Sequence, residues 1–351
     1  MARMDFGVGL GAELRFDEIA DHARVADECG FSHLTFVDQS NVSRECFGMM
    51  TIAAMNTRRI HIGHGVCDPF MYHPAVIGNF TASLRELTGG RAFIGLGAGT
   101  RVAGKATRGP VSLLAQKETI NFLKNYTAGQ DAELWGEVWH SEWIRNTVFS
   151  GQSIPVWMGP VGPKSLQLAG ELADEVWVGG AGEPEIMKWN LEQIEKGANR
   201  IGRDFSKIKV WARTETYVTS SKEEARHEVA SYAATWAAVL YESIFSRDTP
   251  EGQDLYQRLE KKHPGLVDEF KKIKQGFNPY EHESLHAEHK HLATQRVIDA
   301  NILSGNVEDI DEKIYELQQL GVNGVSCVQY AIIDQKSNMR EISNSIMPQF
   351  R

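Results

Sequence analysis

Short apolar runs alternate with longer amphipathic segments along most of the chain. The first apolar run covers residues 5–10, and behind it apolar side chains recur every three or four positions from Glu18 to Cys29. This spacing predicts a strand followed by an amphipathic helix. Gly30 is placed to cap that helix, and residues 33–37 form the next apolar run. The chain therefore begins with a strand–helix–strand unit.

The same alternation continues along the chain. Further strands, with helices between most of them, are predicted at residues 59–66, 92–96, 154–158, 175–178, 208–212 and 324–328. An irregular stretch around Trp135, Trp139 and Trp143 is expected to be a loop with a short hairpin. Eight strands that alternate with helices predict an α/β fold, a (β/α)8 TIM barrel, in which residues 1–351 form a single domain. A doubly wound open sheet is the alternative fold.

Residues 246–291 interrupt this pattern before the last strand–helix unit. This segment is rich in Lys, Glu and His. Because a structureless loop of this length is uncommon in a compact domain, we interpret it as a helical insertion that covers the barrel mouth or forms a subunit contact. His282, His286 and His289 have helical spacing, but the charged residues between them favour a solvated helix face. No metal site is predicted.

Composition and charge restrict the partners of the protein. The chain has a formal net charge of -9, 42% hydrophobic residues and 24% charged residues, which is typical of a soluble globular protein. The acidic balance argues against a nucleic acid or an anionic membrane as partner. No stretch has the length of a membrane span and no secretory signal is visible, so a cytoplasmic location is expected. The four cysteines are widely spaced and predict neither a disulfide framework nor a zinc site.

Alternating glycines end the predicted strand at residues 92–96. Gly95, Gly97 and Gly99 lack a Cβ atom, so a flat or anionic ligand could approach the backbone here. Tight packing inside the barrel is the alternative explanation. No GxGxxG sequence opens a strand–helix unit, which argues against a dedicated NAD(P) site.

Several predicted strand ends carry short sequences that, taken together in their order along the chain, resemble those of a known protein family. They occupy residues 36–38, 62–66 together with His73-Pro74, 89–99, 155–164 and 168–174. In sequence and spacing they resemble the bacterial luciferase-like superfamily of flavin- and F420-dependent oxidoreductases. The spacing is most similar to that of the methylenetetrahydromethanopterin reductase branch.

The resemblance implies a cofactor site at the C-terminal ends of the barrel strands. Reduced FMN would bind there, or alternatively F420. Gly65 and Val66 would lie behind the central ring, in a bulge that in related proteins often contains a non-prolyl cis peptide bond. The remaining cofactor-binding residues that the resemblance implies are Gly97, Ala98, Gly99 and Thr100 beside the ring and Gly159, Val161, Gly162, Gly179 and Gly180 near the phosphate-bearing tail.

Two residues are the catalytic candidates. Asp38 follows the second predicted strand, where the resemblance implies an acid that orients the cofactor or moves a proton. Relatives commonly have a histidine after this acid, but this chain has Gln39. The proton-transfer role could therefore pass to His64, to His73 or to a residue of the 246–291 segment. A buried structural histidine is the alternative explanation for His64.

Three functions are compatible with these residues. The leading interpretation is an FMN-dependent monooxygenase in which reduced FMN, supplied by a separate flavin reductase, reacts with dioxygen and oxygenates a small organic substrate. The alternative is a coenzyme F420-dependent reductase or dehydrogenase that transfers a hydride to or from an alcohol, imine or alkene. A flavin-binding protein without catalytic activity is the second alternative. The resemblance also implies a homodimer.

Overall fold

A computed structural model describes residues 3–11, 13–39, 43–99, 111–132, 134–141, 145–146, 148–149, 151–281 and 284–351. The strands in these ranges are β1 Asp5–Leu10, β2 His33–Phe36, β3 His61–His64, β4 Ala92–Leu96, β5 Leu134–Trp135, β6 His140–Ser141, β7 Val156–Met158, β8 Glu175–Val178, β9 Lys209–Val218, β10 Leu303–Gly305 and β11 Gly324–Val328.

The main sheet closes into a barrel. Its parallel strands follow the order β11, β1, β2, β3, β4, β7, β8 and β9, and β9 pairs with both β8 and β11. This double pairing of β9 excludes the open-sheet alternative and confirms the (β/α)8 TIM barrel. Strands β5 and β6 form a separate antiparallel hairpin in the aromatic stretch.

Helices surround the barrel. In the described ranges they are α1 Phe16–Glu28, α2 Cys46–Met55, α3 Pro74–Thr88, α4 Leu113–Thr127, α5 Pro163–Leu172, α6 Pro184–Arg200, α7 Lys222–Leu240, α8 Pro250–Lys262, α9 Leu266–Gly276, α10 Gln295–Asn301, α11 Val307–Gln319 and α12 Gln335–Glu341. Proline stands in the first turn of α3, α5, α6 and α8, where its missing N–H costs no helical hydrogen bond. None of the helices in the described ranges is both long enough and apolar enough to cross a membrane.

Residues 246–291 contain α8, α9 and a short 3-10 helix, Pro279–Glu281, and they end within a second 3-10 helix, Glu288–Leu292. Helix α8 packs against α6, and the indole N–H of Trp189 donates to the carbonyl oxygen of Glu251 at 3.0 Å. His286 and His289, two of the three histidines with helical spacing, do not lie together on one α-helix. His289 is buried in a 3-10 helix, His286 is exposed in the turn before it, and His282 lies outside the described residues.

Aromatic side chains fill part of the barrel interior. His33, Phe93, Trp157, Trp177 and Trp211 point inward from five different strands. The rings of Phe93 and Trp157 stack with centroids 4.2 Å apart, and the ring of His33 meets Trp211 edge-on at 4.6 Å. The interior is therefore a packed core, as in other TIM barrels.

Two features differ from the predicted elements. Strand β9 continues to Val218 rather than ending near residue 212, and the short strand β10 pairs with its last residues, Thr216 to Val218. A run of three residues is too short to show either a helical or an extended periodicity. This explains why β10 was not predicted.

Candidate active site

A bulge follows β3 at the mouth of the barrel. The peptide bond between Gly65 and Val66 is cis, in agreement with the resemblance. Before the bulge, the Gly65 N–H donates to the carbonyl oxygen of Phe36 at 2.8 Å. After it, the Cys67 N–H donates to the carbonyl oxygen of Gly95 at 2.8 Å. The backbone thus departs from the regular parallel hydrogen-bond pattern at the bulge and pairs with β4 again at Cys67.

The glycines beyond β4 make room for side chains of the protein itself. A Cβ atom at Gly97 would lie 2.4 Å from Cγ2 of Val66, and one at Gly99 would lie 2.0 Å from Oδ2 of Asp68. On the other side of Val66, a Cβ atom at Gly159 would lie 3.1 Å from Cγ1. Tight packing therefore explains why Gly97 and Gly99 have no side chain. Val66 and Asp68 are the side chains that these glycines admit to the mouth.

Of the other two residues predicted beside the ring, Ala98 and Thr100, only Ala98 lies in the described residues. The Ala98 carbonyl oxygen accepts a hydrogen bond from the Val111 N–H at 2.9 Å, which joins the end of β4 to the segment before α4. Thr100 lies outside the described residues.

A buried arginine supports the bulge from inside the barrel. The Nη2 atom of Arg213 donates to the carbonyl oxygen of Gly65 at 2.8 Å and lies 2.5 Å from the hydroxyl of Tyr330. The Tyr330 hydroxyl also donates to the Gly65 carbonyl oxygen at 3.3 Å. The guanidinium lies 5.3 Å from the ring centre of Trp177. Sequence reasoning missed Arg213, because the strand was predicted to end at residue 212.

Asp38 lies two residues after β2 and is 7% exposed. Its Oδ1 atom accepts from the Tyr72 hydroxyl at 3.4 Å, and its Oδ2 atom has no hydrogen-bond partner among the described residues. Burial raises the pKa of this carboxyl to about 6, although hydrogen bonds from Tyr72 and Cys46 oppose the shift. The residue thus combines a free oxygen with a titration close to neutral pH.

Asp68 is a second buried carboxyl group at the mouth, and sequence reasoning missed it. It is 2% exposed. Its Oδ1 atom accepts from the Phe70 N–H at 2.7 Å, while Oδ2 has no hydrogen-bond partner in the described ranges. Burial raises the pKa of this carboxyl as well. The sequence could have indicated Asp68, because it closely follows Gly65 and Val66, the bulge that the resemblance implies behind the cofactor ring.

His64 does not lie with Asp38. Gly63 and Gly65 face the barrel interior, so the side chain of His64 between them points outward into the helix layer. There its ring lies edge-on to Phe47 at 5.4 Å and to Phe80 at 6.1 Å. Complete burial lowers its pKa to about 3, so the imidazole is neutral. These contacts favour the buried structural alternative for His64, and a catalytic role of this residue remains a prediction.

The predicted tail site lies at the beginning of α5. Gly162 is the N-cap residue, and it supplies no capping side chain for the first turn. The first N–H groups of such a helix attract an anion. The Gly159 N–H is different, because it donates to the carbonyl oxygen of Leu96 at 2.9 Å and is not available to a phosphate. Val161 is half-buried and packs against the core.

Gly179 and Gly180 follow β8 and have packing explanations of their own. A Cβ atom at Gly179 would lie 2.3 Å from the ring of Trp236. Gly180 has a φ of 76°, and a Cβ atom there would lie 2.5 Å from Cγ2 of Ile186. Both glycines therefore let neighbouring helices approach the rim, and their contact with a cofactor remains a prediction.

Comparison with known proteins gives the family. Residues 1–324 match the family described as luciferase-like monooxygenase. The chain belongs to this family. It is an oxidoreductase, in agreement with the sequence-based expectation.

Individual relatives differ in their cofactors. A 5,10-methylenetetrahydromethanopterin reductase of Archaeoglobus fulgidus is 26% identical over 99% of this chain and 100% of that protein. The structure of the coenzyme F420-dependent tetrahydromethanopterin reductase from Methanopyrus kandleri has a TM-score of 0.78 at 22% identity and covers 100% of both chains. The oxygenating constituent of 3,6-diketocamphane monooxygenase of Pseudomonas putida, in complex with FMN, has a TM-score of 0.63 at 17% identity and covers 99% of both chains. These two structural similarities concern the fold.

Proposed function

We propose that this protein transfers a hydride between coenzyme F420 and a small organic substrate. The observation that carries the proposal is a buried carboxyl group, Asp38, with one free oxygen at the mouth of the barrel. Whole-length similarity to methylenetetrahydromethanopterin reductases supports F420 as the cofactor. The FMN-dependent monooxygenase has weaker support, because the 3,6-diketocamphane monooxygenase structure in complex with FMN is only 17% identical. F420 thus replaces FMN as the leading cofactor.

The residues at the mouth fit a deazaflavin. Val66 offers an apolar surface between Gly97 and Gly159 for a planar ring. The unpartnered oxygens of Asp38 and Asp68 are buried, and buried polar atoms normally have a partner, which a ligand with an N–H or O–H group would supply. The uncapped first turn of α5 would hold the anionic tail.

Hydride transfer and proton transfer each have a candidate group in this arrangement. When bound, the cofactor supplies the carbon atom that accepts or gives the hydride. Asp38 takes a proton from the substrate during oxidation and returns it during reduction, and its pKa of about 6 suits both directions near neutral pH. Burial of the carboxyl group keeps bulk water away from this proton transfer.

The proposed ligands follow from this chemistry. An alcohol, an imine or an activated alkene could exchange a hydride with F420 without dioxygen. A separate flavin reductase is therefore not required. The homodimer implied by the resemblance remains a proposal, and light scattering of the purified protein would test it.

An anaerobic fluorescence titration with F420, FMN and reduced FMN in parallel tests the function. We expect selective binding of F420. The matched variants are Asp38→Asn and Asp311→Asn, because Asp311 is a carboxyl group on α11 whose pKa burial also raises to about 6. Only the first substitution is expected to reduce hydride exchange with candidate substrates. Selective binding of reduced FMN, or binding of none of the three, would contradict the proposal.

A further inference from the structure

Two buried carboxyl groups at the mouth each keep one oxygen unpartnered in the described part of the chain. These atoms are Oδ2 of Asp38 and Oδ2 of Asp68. The two side chains are 7% and 2% exposed, so water does not readily replace the missing partners. Two such oxygens at one rim indicate a ligand with hydrogen-bond donors.

The orientation of Asp68 is fixed by its surroundings. The Phe70 N–H holds Oδ1 at 2.7 Å, which leaves Oδ2 to point away from the turn. Oδ2 occupies the place of the missing side chain of Gly99, 2.0 Å from where a Cβ atom would lie. Two residues earlier on the same strand end, Gly97 admits Val66 in the same way. Asp68 therefore lies next to the surface proposed to carry the cofactor ring.

We propose that Asp68 is a second acid–base residue of this site and acts with Asp38 as a pair that holds one proton. The inference rests on the proposed F420-dependent function. During oxidation the O–H or N–H bond of the substrate breaks, its proton passes to the ionised carboxylate, the hydride leaves carbon for F420, and a C=O or C=N bond forms. During reduction the hydride arrives from F420 at carbon, and the carboxylic acid returns the proton to oxygen or nitrogen.

The charge of Asp68 acts on the carboxyl group of Asp38. Burial raises the pKa of both carboxyl groups, and the charges of Glu45 and Asp68 raise the pKa of Asp38 further. Two nearby carboxylates in a water-poor site do not both ionise easily. Among the described residues, the other titratable groups that act on the pair include Glu45, Cys46 of α2, Cys67 of the bulge and Tyr72. Of these, Cys46 and Tyr72 donate hydrogen bonds to Asp38.

Carbon-13 NMR of the ligand-free protein, labelled at the aspartate carboxyl groups, tests the coupling of the pair. We expect one titration near pH 6 to disappear in Asp38→Asn and to move to lower pH in Asp68→Asn, because the neighbouring charge is gone. Asp311→Asn is the control, since Asp311 has its own pKa of about 6 and loss of its signal should leave the others unchanged. An unchanged Asp38 titration in Asp68→Asn would overturn the pair.

Titration with F420 between pH 5 and pH 9 tests the contact with the ligand. In Asp68→Asn the amide oxygen must face the Phe70 N–H, so an NH₂ group takes the Oδ2 position and repels a donor. We expect about tenfold to hundredfold weaker binding and a flatter pH profile than in the wild type, which is the usual effect of losing a charged hydrogen bond. Asp311→Asn should bind like the wild type.

The outcomes separate the two proposals. If the wild type binds F420 and Asp68→Asn binds it with the same affinity and pH profile, the role of Asp68 is overturned while the proposed function stands. If the wild type does not bind F420, both are overturned. Thermal unfolding of each variant shows whether a weaker affinity reflects loss of the fold, and a folded Asp68→Asn protein with weak binding supports the inference.

Discussion

The Nη2 atom of Arg213 lies 2.8 Å from the carbonyl oxygen of Gly65, although 148 positions separate the two residues in the chain. The contact exists because closure of the barrel brings the inner face of β9 opposite the end of β3. It fixes the direction of one carbonyl group in the bulge that supports the proposed ring site. Arg213 is thus a candidate positioning residue rather than a group that touches substrate.

Arg213→Met should remove the hydrogen bond that supports the bulge, while the methionine side chain still fills much of the space in the barrel interior. The Gly65 carbonyl oxygen would keep only the 3.3 Å contact with Tyr330, and we expect F420 to bind about tenfold more weakly, as for the loss of one hydrogen bond to a charged donor. Tyr330→Phe removes the 3.3 Å contact with the Gly65 carbonyl oxygen and the contact with Arg213, but it leaves the charged donor on that oxygen and should therefore have a smaller effect. Fluorescence titration measures both, and Arg213→Lys should restore part of the affinity. Equal affinity in Arg213→Met and the wild type would contradict the positioning role.

Gly97→Ala should disturb the site through a single contact. The new Cβ atom would meet Cγ2 of Val66 at 2.4 Å, so Val66 must move. We expect a loss of stability of about 1–3 kcal/mol, typical of overpacking, together with weaker cofactor binding. The double variant Gly97→Ala/Val66→Ala removes the clash, so its loss of stability should be smaller than the sum of the losses in the two single variants. Urea unfolding of the four proteins measures this coupling, and strict additivity would exclude the clash as the cause.

The sequence predicts the barrel well because the local pattern carries most of the information. Parallel strands covered on both faces appear as continuous apolar runs, and glycine or proline marks the boundaries. The eight barrel strands were predicted on this basis. Strand β10 was not, because its pairing with Thr216 to Val218 depends on the tertiary position of β9.

The site could be predicted only in part. Glycine at positions 97 and 99 shows that space is needed, but a sequence does not show which atoms use that space. Here Val66 and Asp68 use it, and they come from the neighbouring strand end. Arg213 and Tyr330 meet only after β9 and β11 pair. Contacts of this kind depend on closure of the barrel, which local periodicity does not contain.

Asp38 should make the stability of the protein depend on pH in a predictable direction. Its folded-state pKa is raised from 3.8 to about 6, so the folded protein holds the proton more tightly than the unfolded chain does. The contribution to stability is therefore fully present below pH 3.8 and is lost as the pH rises through about 6. The loss is on the order of 2–3 kcal/mol if the full shift applies.

Asp38→Asn removes this titration, so its free energy of unfolding should change less between pH 4 and pH 7 than that of the wild type. Urea unfolding at several pH values measures the difference. Asp21→Asn, at an exposed position on α1, is the control and should follow the wild-type curve. A wild-type curve parallel to that of Asp38→Asn would show that Asp38 is not the titrating group.

Among the ion pairs that join α6 to α8 in the described residues, two differ mainly in burial. Glu183 is the N-cap of α6, its side chain is 5% exposed, and Oε1 lies 2.9 Å from Nζ of Lys262. Glu192 lies 2.8 Å from Arg258, but these side chains are 38% and 28% exposed. Both pairs tie the 246–291 segment to the barrel, and Glu183 lies just after β8 at the mouth.

Glu183→Gln should destabilise the protein by about 1–3 kcal/mol, because a buried carboxylate that accepts several hydrogen bonds is replaced by a neutral group. Glu192→Gln should cost at most about 1 kcal/mol, since water screens the exposed pair. Unfolding in urea compares the two, and limited proteolysis reports whether α8 separates from α6. Faster cleavage in residues 246–291 is expected for Glu183→Gln alone. Equal effects of the two substitutions would mean that burial of the Glu183 pair does not hold this segment on the rim.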